Sequence, residues 1–153
     1  MEAVQARPVT ELLECPAAVG LLLNEAARNI SFAVGEVVFS QSEGCKGLYL
    51  VVSGRFQCQR DQQGARLTLS AARPGKLLEL AAVLSDCHHA YTLTAQTAGS
   101  MVLLPKEALY KAFQSYPPLR MRLLEELARE VCRAYIACCL SCDVNSRQGT
   151  SAA

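Results

Sequence analysis

The chain has 153 residues, enough for one domain at roughly 100–200 residues each and too few for two. Hydrophobic residues make up 51% and charged residues 19%, which excludes an intrinsically disordered chain and leaves apolar surface for a sizeable core. Fifteen Lys+Arg against fourteen Asp+Glu give a net charge of +1, which argues against a strongly basic surface built to coat nucleic acid.

From about Thr10 to Arg28 the sequence reads as helical. Thr10 suits an N-cap ahead of Leu12 and Leu13, and Pro16 suits the first turn of a second short helix with Leu21, Leu22 and Leu23 as core contacts. From Phe32 to Leu104 it reads as short strands: Val37 to Phe39, Leu48 to Val52, Phe56 to Gln59, Leu67 to Leu69, Thr92 to Thr94 and Met101 to Leu104. Glycines punctuate them. Ser53-Gly54 carries a hairpin signal, Asp61 to Gly64 a second turn, and Tyr49, Leu50 and Val52 form an apolar face to fill the interior. Many short strands between turns predict a mainly β fold with flanking helices, a β-roll or jelly roll.

Lys106 to Gln114 is predicted to be a short helix, which Pro117 and Pro118 break before a longer one from Leu119 to Cys142. Leu124, Leu127, Val131, Ala134 and Cys138 recur with 3-4-3-4 spacing, an a/d seam over two heptads. The small residues Ala134 and Cys138 permit close helix approach, so the expectation is a homodimer seam, with packing on the chain's own barrel as the alternative. Arg122, Glu125, Glu126, Arg129 and Arg133 occupy the other face. The domain is expected over 10–142, followed by a disordered polar tail, Asp143 to Ala153.

No apolar run reaches the roughly 18 residues of a membrane span, and Met1 to Thr10 has no secretory pattern, so the expectation is a cytoplasmic chain without membrane contact. Eight cysteines in a reducing compartment read as buried thiols, metal ligands or redox groups.

Phe32-Ala-Val-Gly-Glu-Val-Val-Phe-Ser-Gln-Ser-Glu, followed by Gly47-Leu-Tyr-Leu-Val-Val-Ser-Gly-Arg-Phe, resembles the cyclic-nucleotide-binding domain of the Crp/Fnr regulators and of kinase regulatory subunits. The family pattern runs F-x-x-G-E-x-[IV]-F, a polar turn, then [LM]-Y-x-[IV]-x-x-G-x-[VF]. The likeness continues through Pro74-Gly75, Met101 to Leu104 and Pro118, covering Leu12 to Leu127.

The resemblance implies a ligand cassette, G-E-[LI]-[AS], a linker, and R-[STA]-A. In the family the Arg and backbone amides hold a cyclic phosphate and the Glu takes the ribose hydroxyl. The corresponding residues are Glu79, Leu80, Ala81 and Ala82, then His88, His89, Ala90, Tyr91 and Thr92. Aligned without gaps, Glu79 replaces the Gly, Leu80 the Glu and His89 the Arg. A one-residue slip would make Glu79 the ribose ligand and set His88 opposite the phosphate. In either register no Arg stands between Arg73 and Arg120. The forked guanidinium that neutralises the phosphate is lost, and imidazole, mostly neutral at neutral pH, is a poor substitute. Cyclic AMP and cyclic GMP are therefore expected to bind weakly or not at all, and no cofactor is predicted.

Two adjacent histidines point different ways, so at most one should line the pocket. Cys87 with His88, and Cys138 and Cys139 with Cys142, leave open a redox, metal or haem sensor as an alternative function. Beyond the long helix no recognition helix fits, so direct DNA binding is not expected. No nucleophile–base set and no phosphate-binding loop is present, so no enzyme is expected. The leading expectation is a regulatory module that senses a small ligand or protein partner and signals through its C-terminal helix. A truncated Crp/Fnr transcription regulator is the third reading.

Overall fold

A computed structural model describes residues 13–85 and 87–148, the last of them, from Cys142 on, as backbone. Pro16 immediately precedes helix α1 (Ala17–Ala26). Leu23 is fully buried there, but Leu21, expected in the core, is 62% exposed because three consecutive leucines cannot share one helix face. The expected N-cap Thr10 and its neighbour Leu12 lie outside the described residues. The first helical zone ends before Arg28. Strand β1 (Arg28–Phe32) starts there and pairs antiparallel with the last strand, at Gly99–Leu103.

The other strands are β2 (Val37–Phe39), β3 (Gly47–Ser53), β4 (Phe56–Gln62), β5 (Ala65–Ala72), β6 (Leu77–Leu78), β7 (Thr92–Ala95) and β8 (Gly99–Pro105). They form two four-stranded antiparallel sheets, ordered β1-β8-β3-β6 and β2-β7-β4-β5. This is the expected β-roll. Ser53-Gly54 does not close a hairpin, however, because β3 and β4 belong to different sheets. Gly54 takes the chain from one sheet to the other at φ +85°, and a Cβ there would lie 2.7 Å from the Ala98 carbonyl oxygen. The true hairpin is β4–β5, where Gln63 and Gly64 both adopt positive φ, as a two-residue turn matched to strand twist requires.

The alternation of β3 divides the core. Tyr49 and Val51 point between the sheets, with Phe39, Phe56, Leu93 and Met101. Leu48 points the other way into a second apolar layer beneath the helices, and Leu50 and Val52 pack against that layer instead of filling the roll as expected. The second layer joins α1, the short helix α2 (Leu80–Ser85), α3 (Lys106–Ser115) and the start of α4 (Pro117–Gln148). The Tyr110 hydroxyl donates to the Val83 carbonyl at 3.0 Å, tying α3 to α2.

Helix α4 has 32 residues and takes both prolines into its first turn, where a missing N–H costs nothing. It runs past the expected end at Cys142, so Asp143 to Gln148 are helical and not a loose tail; residues 149–153 lie outside the described residues. Leu119 and Leu123 are buried on the roll, and Leu127 packs against the same layer. Farther along, Val131, Tyr135, Ile136 and Leu140 are 57–70% exposed. Of the predicted seam, Leu127 packs against the chain's own domain, whereas Val131, Ala134 and Cys138 farther along are exposed. No helix among the described residues is long and apolar enough to cross a membrane.

Candidate functional site

The sequence between β6 and β7 folds back under α4 and builds one wall of a cleft of about 430 Å³. Glu79, Ala81, Ala82, His88, Ala90 and Tyr91 line it, together with Lys76, Ser70 of β5, and Leu127 and Glu130 of α4. The expected cassette residues are therefore gathered at one place, with exceptions. Leu80 touches the cleft but is buried in the layer beneath the helices. Thr92 is engaged elsewhere, its Oγ1 accepting the Gln41 N–H at 3.0 Å.

The two histidines part company, as their adjacency requires. His88 is exposed at the cleft, whereas His89 is 3% exposed and turned into the roll. Its Nδ1 lies 2.7 Å from Glu79 Oε2, and its ring stacks on Phe39 with centroids 3.8 Å apart and planes at 9°. Glu79 is also buried, at φ +74°, a left-handed conformation that glycine favours. A carboxyl group in an apolar interior needs partners, and His89 and the Tyr91 hydroxyl supply them. The Tyr91 hydroxyl is held in its protonated form, its pKa raised first by burial and then by the Glu79 carboxylate.

The charged groups of the cleft are few. Among the residues lining it, Lys76 is the only Lys or Arg, and no guanidinium is present. Glu130 faces it from α4 with its carboxyl pKa raised, chiefly by burial, against the lowering influence of Lys76. The charged face of α4 that includes Arg122, Glu126 and Arg129 borders an adjoining groove, which shares Lys76, Leu77 and Glu130 with the cleft and has Glu14 on its far side. Arg122 bridges that groove, donating to Glu14 Oε2 at 2.7 Å.

The cysteines resolve into two sets. Cys15, Cys45 and Cys58 are buried, and burial raises the thiol pKa of Cys15 and Cys58. Cys87, Cys132, Cys138 and Cys139 are exposed; the Cys142 side chain lies outside the described residues. Cys87 accepts a hydrogen bond from the Ser85 hydroxyl at 3.0 Å. Among the described residues, the three-residue cluster with metal-ligating geometry is neither Cys87/His88 nor the α4 cysteines. It is Cys45, Glu79 and His89. Sequence reasoning missed Cys45 because it is brought to the other two only by the fold.

A family model for the cyclic nucleotide-binding domain matches residues 29–116. The chain belongs to that family. Its fold is shared by the catabolite activator protein of Thermus thermophilus (24% identity, TM-score 0.70, over 82% of this chain and 59% of that one). It is also shared by the sensor domain of the transcriptional regulator DNR from Pseudomonas aeruginosa (19%, TM-score 0.68, over 79% and 91%). The regulatory domain of Toxoplasma gondii PKA, solved with cAMP, is a third such structure (16%, TM-score 0.65, over 73% and 46%). A search of curated proteins by sequence gives no significant match. This cyclic nucleotide-binding domain thus spans 59% of the Thermus activator's length and nearly all of the isolated sensor domain.

Proposed function

We propose that this chain is a non-enzymatic regulatory module that signals occupancy of its cleft through α4, and that cyclic AMP and cyclic GMP bind it weakly or not at all in the family's usual pose. The observation that carries this reading is the absence of any guanidinium from the residues lining the cleft. A cyclic phosphate would meet Lys76 alone as a fixed cation, with Glu130 close by and Glu79 behind it. The positive φ of Glu79 favours the ungapped register, with Glu79 at the glycine position, Leu80 at the ribose-binding Glu and His89 at the Arg. In that register neither ligand-holding side chain survives: Leu80 is buried among apolar groups and His89 is turned to Glu79.

Charge-assisted hydrogen bonds contribute on the order of 1.5–3 kcal/mol each, so losing a forked pair weakens binding by about a hundredfold or more. Isothermal titration calorimetry with either cyclic nucleotide is expected to show no binding at micromolar concentrations. A micromolar or tighter Kd would overturn the proposal.

The route out of the cleft is α4 itself. Leu127 and Glu130 line the cleft, and beyond them the same helix carries Val131 and Tyr135, exposed on one face. A second copy of the chain is the proposed partner for that face. The exposure of Cys138 and Cys139 there favours a second reading, a redox-sensitive junction between copies. Non-reducing electrophoresis of the oxidised protein separates the two readings.

A further inference from the structure

Cys45, Glu79 and His89 come from three separate segments, and one donor atom of each lies within 4.8 Å of the others. All three are interior, at 5%, 9% and 3% exposure. Glu79 bears two costs at once, a left-handed backbone and a carboxylate taken out of water. Packing alone rewards neither, since an apolar residue would avoid the second and a glycine both.

We propose that Cys45 Sγ, the Glu79 carboxylate and the His89 imidazole form a zinc-binding site inside the roll. The donor set is one that zinc accepts, with sulfur, nitrogen and oxygen in a tetrahedron completed by water. Bonds of about 2.0–2.3 Å place tetrahedral donors roughly 3.3–3.8 Å apart. To reach that spacing the His89–Glu79 pair opens from 2.7 Å, and Cys45 Sγ, within 4.8 Å of a donor atom of each, completes the set. The thiol proton, now directed at the Gly47 carbonyl, leaves to solvent on binding. One thiolate, one carboxylate and a neutral imidazole then balance the double positive charge, so the occupied site is electrically neutral in an apolar setting.

The surroundings are already organised for this. The Cys45 N–H donates to the Cys87 carbonyl at 3.3 Å and the His89 N–H to the Glu43 carbonyl at 2.8 Å, which pins the Cys45 loop to the His89 loop. Phe39 fixes the imidazole plane, and the Tyr91 hydroxyl orients the carboxylate. Cys45 lines one surface cleft, of about 360 Å³, and Glu79 lines the other.

The test uses the full chain with Cys87, Cys132, Cys138, Cys139 and Cys142 replaced by serine, so that Cys15, Cys45 and Cys58 are the remaining thiols. After incubation with zinc chloride and exhaustive dialysis, one equivalent of zinc is expected to remain. Cobalt chloride is expected to give a thiolate-to-cobalt charge-transfer band. C45S and H89Q in that background are expected to weaken zinc binding by about a hundredfold or more. X-ray absorption of the zinc-loaded parent needs no further variant: one sulfur at about 2.3 Å and lighter donors at about 2.0–2.1 Å are expected. Absence of retained zinc and of the cobalt band, no sulfur in the zinc shell, or undiminished binding by folded C45S would each overturn the proposal.

Discussion

Glu79 and His89 are comprehensible only together. A lone carboxylate in this interior would be severely destabilising, and so would a lone imidazole with its ring nitrogen unpaired. His89→Ala removes the partner and leaves Glu79 buried, and is expected to cost about 3–5 kcal/mol. Adding Glu79→Gly removes the stranded carboxylate and relaxes the left-handed φ, so the double variant is expected to be more stable than His89→Ala alone. Urea midpoints of the single and double variants check this, and a double variant less stable than H89A would refute the coupling. The neighbouring tyrosines give a pH signature. The phenols of Tyr49 and Tyr91 are held protonated in the fold, Tyr49 to about 12 against an ordinary value of 10.0. The unfolded chain therefore releases these protons first, and their contribution to stability is full below about pH 10 and declines as pH rises above it. Alkaline unfolding is expected to begin in that window, and Tyr49→Phe and Tyr91→Phe are expected to flatten it.

At the scale of the elements, glycine position and glycine conformation can be separated. Gly35 and Gly54 share φ +85°, but a Cβ at Gly35 meets nothing within 4 Å, whereas one at Gly54 meets the backbone of Ala98 and Gly99 at 2.7 Å. Gly35→Ala is expected to cost about 1–2 kcal/mol for the backbone alone. Gly54→Ala is expected to cost clearly more, since the approach of the β3–β4 link to the β7–β8 link must widen. Thermal melts of the two variants decide it.

The same link shows what sequence could and could not convey. The apolar, β-branched and aromatic runs announced β2, β3, β4, β5, β7 and β8, and the glycines announced the corners. Turn chemistry is local, however, and which sheet a strand joins is not, so Ser53-Gly54 resembled a hairpin while linking two layers. Strand β1 stayed hidden because Arg-Asn-Ile-Ser-Phe is mostly polar and half exposed at a sheet edge. Strand β6 has only two residues, too few to set a period. In the site, the lack of any Arg between Arg73 and Arg120 was legible as a missing residue type. The inward turn of His89, its bond to Glu79 and the arrival of Cys45 depend on long-range packing and were not.

For the molecule as a whole, the consequential contrast lies along α4. Its first half is committed to the domain through Leu119, Leu123 and Leu127, while Val131 and Tyr135 stand 60% and 70% exposed. Apolar side chains left in water at this density favour association. The chain is expected to sediment as a dimer, and Val131→Asp with Tyr135→Ser is expected to raise the dimer Kd by about 30-fold or more while leaving the melting of the roll largely intact. A monomeric parent in analytical ultracentrifugation would remove the proposed second copy.

The geometry of that helix also sets a mechanical gain. At about 1.5 Å per residue, α4 is roughly 48 Å long, and some 27 Å of it extends beyond Glu130, the last residue that touches the cleft. A tilt of about 10° at the root would sweep the far tip through nearly 5 Å, about the rise of one helical turn. On the proposed route from cleft to helix, a small displacement at the root would thus be magnified at the distal end, which would act as a pointer.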